Sequence, residues 1–329
     1  GLIAVVLFLV FAVSGGTGRF SQVNIFTFPE TKLVMEEQIR EDGVVGNNIF
    51  KTRLFHNKVV NFGLAYISNY FDYFTGKFLF VEGGLPPWYK VPGMGLLYLV
   101  ELPFILFGLY LLVFAKERIH KVLLIWLLVG PVAAAATVDD IPNIQRSIVM
   151  FPMVEIVAAY GTINAISDIR YQISNIQIKY LIFALYFLFL LFNFLYFLHQ
   201  YFVHAKVHRT WFRNNGVAEM VRTVEASYDV YDTIIVTKAA GGIYPLVLFY
   251  SKFDPKVYQS LGSPKDRDYG GFGKFFFASH ECPSQKTDAR FPKAAKKMFV
   301  DRGTCPATTL QHKDIYREDG SLGFRVIYE

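Results

Sequence analysis

Long apolar runs separated by short charged loops dominate the first two thirds of the chain. Four of them, 96–115, 122–138, 148–166 and 180–202, approach or exceed the roughly 20 apolar residues that cross a bilayer core as a helix. The last is the clearest, since no charged residue falls between Tyr180 and Leu198. Pro103, Pro131 and Pro152 lie inside or beside the others, where neighbouring helices satisfy the backbone groups that proline frees. A further run, Leu2 to Val13 within 1–14, is too short to span and has no basic segment before it. It is expected to be a partial span rather than a signal peptide, and the chain to be the C-terminal part of a longer protein. Between it and the first full run, 15–95 forms one connection of roughly 80 residues. Ordering a connection of that length costs about 1 kcal/mol or more per residue unless packing or a ligand offsets it.

Beyond about residue 205 the apolar runs give way to short alternating segments. Val217, Met220, Val221 and Val224 recur at helical spacing, and Tyr231 to Thr237 is a β-branched strand running into the Gly241-Gly242 turn. Ile243 to Lys252 predicts a second helix, Lys274 to Ser279 and Met298 to Val300 predict strands, and Ile315 to Tyr328 predicts a hairpin turning at Asp319-Gly320. The expected fold is an α-helical polytopic membrane domain over 1–204, followed by a small α/β domain over 205–329 with a mixed sheet and covering helices.

With 53% hydrophobic, 17% aromatic and 18% charged residues, the composition is too apolar and aromatic for an average soluble enzyme. The net charge of +6 is spread over loops and the last third without a basic helix or RNA-binding signature, so no nucleic-acid partner is expected. Membrane lipids account for it better. Lys116, Arg118 and Lys121 in one short loop, and Arg170 and Lys179 in another, predict those loops to be cytoplasmic. Alternation then places 15–95, the Asp139–Asn143 turn and the C-terminal domain outside an integral cytoplasmic-membrane protein. Cys282 and Cys305 are the only cysteines, and a disulfide or two free thiols are both open. Neither has a CxxC partner, so no metal site is expected.

The candidate chemistry is cationic and carboxylate. Arg53, His56 and Lys58 fall within six residues of one another beside the aromatic stretch Tyr66 to Phe74, suited to an anionic, lipid-linked ligand at the membrane surface. The bland alternative is a solvated loop with an interfacial aromatic belt. Glu82 opens a Gly- and Pro-rich segment that ends before the first full span and carries Lys90, a cation within reach of a phosphate or a mere connector residue. Glu101 and Glu155 lie inside predicted spans, where a carboxylate faces a cavity, a partner or, for Glu101 near the outer end, water. Arg146 follows the outer turn, either joining the anion site or snorkelling to the interface. No nucleophile elbow, P-loop, HExxH or dinucleotide fingerprint occurs.

Several strings resemble the C-terminal half of bacterial polytopic glycosyltransferases of the GT-C fold, the group containing protein O-mannosyltransferases and the aminoarabinose transferase of lipid A. They are Arg53 to Phe62 (RLFHNKVVNF), Tyr70 to Gly95, Gly95 to Leu112 with Glu101-Leu102-Pro103, Pro142 to Gly161 with Arg146, and Tyr231 to Gln259. The resemblance implies transfer of a sugar from a polyprenyl-phosphate donor to a lipid, glycan or protein acceptor on the extracytoplasmic face. It implies a general base, an aspartate of the first outer loop, expected upstream of Gly1, so that this part alone is expected not to turn over. Arg53, His56, Lys58, Lys90 and Arg146 are then the cationic set facing the leaving phosphate. Where the family often has an Arg-His pair before the span and a His ahead of the later arginine, this chain has Trp88-Tyr89-Lys90 and Asn143-Ile144-Gln145-Arg146.

Two other classes share some of these features. A transporter or flippase of lipid-linked sugars would also carry intramembrane acids, but predicts internal repeats and mainly short loops. A noncatalytic membrane-anchored binding protein needs only the C-terminal domain to meet a partner.

Overall fold

A computed structural model describes residues 23–26, 29–239, 241–261 and 270–329, with the side chain of residue 172 left aside. The predicted partial span 1–14 and the start of the 15–95 connection lie outside the described residues. The chain divides into two compact units, 1–202 and 203–329.

In the first unit the long connection is largely helical. Helices α1 (Pro29–Val44), α2 (Ile49–Phe55) and α3 (Lys58–Asp72) follow one another, then a π turn at Lys77–Val81 and a 3-10 turn at Pro87–Tyr89. Asparagines set the starts: the Asn48 side chain accepts from the Phe50 amide, and that of Asn57 from the amides of Val59 and Val60. Helix α4 (Leu102–Phe114) is preceded by a 3-10 turn at Leu99–Glu101. Together they form an apolar helix, Leu99–Phe114, shorter than a full crossing. Helix α5 (Arg118–Val129) begins four residues before the predicted run and breaks at Gly130-Pro131, because proline has no N–H to continue the ladder, before the short α6 (Val132–Ala135). Helix α7 (Phe151–Gln172) and helix α8 (Ile176–His199) follow, with the Asn175 side chain capping α8. Among the described residues, three helical runs are long and apolar enough to cross a membrane: Arg118–Ala135, Ile148–Tyr171 and Ile176–Val207.

Helices α4 and α7 pack backbone to backbone. A Cβ on Gly161 would overlap the Phe104 carbonyl and the Gly108 amide, and one on Gly108 would overlap the Val157 carbonyl. Small residues let two helices approach this closely where no hydrophobic effect drives them together. Around this contact lies the core of the unit, including Tyr73, Phe78, Leu97, Ile105, Leu112, Met150, Met153 and Val157.

The second unit is a five-stranded mixed sheet with order β2-β1-β3-β5-β4. Its elements are α9 (Val217–Glu225), β1 (Thr233–Thr237), α10 (Ile243–Tyr250), α11 (Pro255–Ser260), β2 (Phe275–Ala278), β3 (Lys297–Arg302), β4 (His312–Tyr316) and β5 (Leu322–Tyr328). β1 runs parallel to both β2 and β3, while β5 is antiparallel to β3 and β4. All five residues of β1 are buried, as expected of a central strand covered on both faces. Val217, Met220, Val221 and Val224 of α9 meet Ile234, Val236, Met298, Val300, Phe324 and Val326 on one face of the sheet. On the other face Ile235, Ala278, Phe299 and Ile327 pack together, with Phe276 and Phe291 against them. Cys282 and Cys305 are joined by a disulfide, with their Cα atoms 5.7 Å apart.

Candidate functional site

The 77–101 segment is folded tightly against the α4 entrance. The amides of Leu96 and Leu97 both donate to the Leu79 carbonyl at 2.8 Å, and a Cβ on Gly95 would overlap the Phe80 backbone. Gly83 turns the chain through a left-handed conformation (φ 65°) that most side chains disfavour. Next to it, Leu85 donates to the Pro142 carbonyl at 2.8 Å and accepts from the Ile144 amide at 3.0 Å, so this segment and the 139–147 turn form one lattice. The Tyr73 hydroxyl accepts from the Asn143 amide at 3.0 Å, and burial raises that hydroxyl above the usual tyrosine range. The Asn69 side chain donates to the carbonyls of Ala135 and Thr137.

This framework brings three of the sequence candidates to one place. Lys90, Glu101 and Glu155 line a cleft of about 330 Å³, together with Tyr89, Tyr98, Leu97 and Phe197. Glu101 is half-buried and accepts a hydrogen bond from the Tyr98 amide at 3.0 Å, which fixes its carboxylate at the head of α4. Glu155 is exposed on α7, one turn from the helix start. Lys90 also borders a second cleft of about 310 Å³, whose walls include Glu82, Asp72, Lys77 and Pro142. There Glu82 pairs with Lys77 at 3.4 Å. Lys90 is therefore the cation common to both polar clefts.

There is also an apolar groove of about 650 Å³. It is lined by Leu99, Val100, Pro103 and Phe104 of the α4 entrance, and by Tyr186, Phe189, Phe192, Asn193 and Tyr196 of α8. The linings of the first cleft and the groove are neighbours in the chain at Tyr98 and Leu99, and again at Tyr196 and Phe197.

The remaining candidates do not converge with Lys90. Arg146 is engaged by its own turn: its guanidinium donates to Thr137 Oγ1 at 2.8 Å and the Asp139 carbonyl at 2.6 Å, and pairs with the Asp139 carboxylate at 3.6 Å. In the same turn burial, with Asp139 beside it, raises the Asp140 carboxyl above its ordinary value. His56 packs back onto α1, with Nδ1 3.0 Å from Gln38 Oε1 and Nε2 3.4 Å from Asp42 Oδ2, and lines a separate cavity of about 560 Å³ with Asn61 and Phe55. Hydrogen bonds from Asn47 and Thr52 hold the Asp42 carboxyl low, with His56 adding to the effect. Arg53 on α2 and Lys58 at the start of α3 are exposed. The expected five-cation set is thus dispersed: the packing of the 29–72 helices spends His56 on Gln38 and Asp42, and the 137–146 turn spends Arg146 on Thr137 and Asp139. Tyr98, Lys77 and Phe197 line the clefts without having been singled out from the sequence; the spacing of Tyr98 from Glu101, one helical turn, was the available signal.

Set against protein-family models, curated proteins and solved structures, the chain matches none.

Proposed function

We propose that this chain is part of a GT-C-type membrane glycosyltransferase, which moves a sugar from a polyprenyl-phosphate donor to a lipid, glycan or protein acceptor on the extracytoplasmic face of the cytoplasmic membrane. One observation carries the reading: the polar cleft holding Lys90 and an aromatic-lined apolar groove are built from consecutive residues of the same two elements, the α4 entrance and α8. That pairing suits an amphiphile with an anionic head and a long hydrocarbon tail. In a site screened from water, an ammonium near the departing lipid phosphate stabilises the charge that develops as the anomeric C–O bond breaks. Glu101 and Glu155, which line the same cleft, are acceptors for sugar hydroxyls. The base that deprotonates the acceptor is, by the resemblance, an aspartate of another outer loop and is assigned to no residue here. The disulfide supports the outer side for the C-terminal unit, since such bonds persist in oxidising compartments.

The test is binding of polyprenyl phosphate to full-length protein in nanodiscs, alongside transfer from polyprenyl-phosphate sugars. Lys90→Met removes a charge-assisted contact worth about 1.5–3 kcal/mol and is expected to weaken binding roughly tenfold to a hundredfold. Arg53→Met should leave it within a factor of about two. Unchanged binding and transfer in Lys90→Met would remove the assigned role.

A further inference from the structure

From the last turn of the apolar run Ile176–Val207 onward, the chain makes a collar that combines cations and aromatics: Lys206, Arg209, Trp211, Phe212 and Arg213. All five side chains are exposed, Trp211 at 52%. Among the described residues no carboxylate forms a salt bridge with the three cations. The collar is nonetheless held firmly. Thr210 is fully buried and donates to Asp319 Oδ2 at 2.6 Å, and Asn215 Oδ1 accepts from the Glu318 amide at 2.9 Å, so two bonds tie it to the β4–β5 turn. Arg209 and Asn214 adopt left-handed backbone (φ 48° and 52°), which closes the collar into a tight 3-10 turn between them. The Trp211 and Phe212 rings lie 5.9 Å apart on its outer surface.

We infer that this collar is a binding site for anionic phospholipid headgroups at the membrane surface where the Ile176–Val207 helix emerges. Chain continuity with an apolar run long enough to span puts the collar in the interfacial zone. Indole and phenyl rings partition into that zone, and arginine and lysine there meet phosphate oxygens at hydrogen-bonding distance. Cations this close to a span are ordinarily kept on the cytoplasmic side, whereas the Cys282–Cys305 bond favours the oxidising side for this unit. A rigid cationic turn retained against that bias is matched by an anionic partner, and the partner continuous with the helix end is the lipid surface. The inference rests on the reading of α8 as a span and not on glycosyl transfer.

Trp88 and Trp126 are the only other tryptophans, so Trp88→Phe with Trp126→Phe leaves Trp211 as sole reporter. The full chain is placed in nanodiscs whose headgroup-proximal brominated lipid is either phosphatidylglycerol or phosphatidylcholine, and Trp211 emission is read without any assay of turnover. Each cation at an anionic surface favours contact by a factor of about five. Quenching is therefore expected to be several-fold stronger with brominated phosphatidylglycerol, to fall as salt rises, and to lose its headgroup preference in Lys206→Gln, Arg209→Gln, Arg213→Gln. Absence of quenching by either lipid would overturn the placement. Equal quenching by both, or abolition of the preference by millimolar inorganic phosphate, would overturn the headgroup assignment. Because the two brominated lipids are compared on the same protein, the result does not depend on the triple variant folding.

Discussion

Replacing both half-cystines, Cys282→Ser with Cys305→Ser, removes the cross-link without leaving a lone thiol. The bond closes a loop with a sequence separation of 23. For a loop of this length the chain-entropy model removes about 11 cal/mol/K from the unfolded ensemble, or about 3.4 kcal/mol at 25 °C. The native surroundings do not depend on the bond alone: the Arg302 guanidinium donates to Glu281 Oε1 at 2.7 Å, and the Arg302 amide donates to the Glu281 carbonyl at 3.1 Å. The substitution therefore acts chiefly on the unfolded chain, and the sheet is expected to persist. Hydrogen exchange of β3 and β5 amides reads this unit without interference from the membrane helices. Protection there is expected to fall by about 2.5 decades, which corresponds to the same free energy. Protection within threefold of the parent, both in the variant and after reduction of the parent, would refute the reasoning. The same residues report on the compartment. Ready maleimide labelling of both cysteines in unreduced membranes would refute the extracytoplasmic placement as well.

Three further outcomes follow from particular positions. Gly161→Val must push α4 and α7 apart and is expected to cost about 1–3 kcal/mol or more, read as an earlier thermal transition in detergent. Gly63→Ala inside α3, where an added Cβ meets nothing within 4 Å, should instead be neutral or stabilise by up to about 1 kcal/mol. The carboxyl of Asp319 is held down to about 2 by hydrogen bonds from Ser321 and Thr210. A depressed carboxylate contributes stability that is complete above its unfolded value, near 4, and is lost as pH falls through about 2. Asp319→Asn should abolish that part of the acid dependence between about pH 4 and 2, seen as a flatter exchange profile at the collar.

The second unit was largely legible from its residues because its strands obey simple alternation. Helix α9 was readable from four apolar positions, and all four are in the core. Strand β4 was only half seen: its burial is confined to Ile315, with a half-buried Asp314, so His312 and Lys313 look like loop. In the first unit, α5 extends back to Arg118 because long cationic side chains can leave a helix end for water, a tolerance that a hydropathy window does not register. The helices of the long connection were not read, since α1 buries only Met35 and so carries almost no apolar stripe. The site was legible residue by residue but not as a set. Lys90, Glu101 and Glu155 each stood out as a cation or an intramembrane acid; that they share a cleft is set by the α4–α7 contact, which depends on Gly108 and Gly161 meeting across two segments far apart in the chain.

That glycine contact also distributes mobility unevenly around the cleft. Two helices touching through their backbones have no side-chain cushion to compress, so the span between the Glu101 and Glu155 walls behaves as a fixed gauge. Helix α8 buries none of its own residues, and its aromatics form the facing wall. On the proposed reading, the lipid tail enters by displacing that wall sideways while the carboxylates keep their separation, which makes α8 the door and the α4–α7 pair the frame.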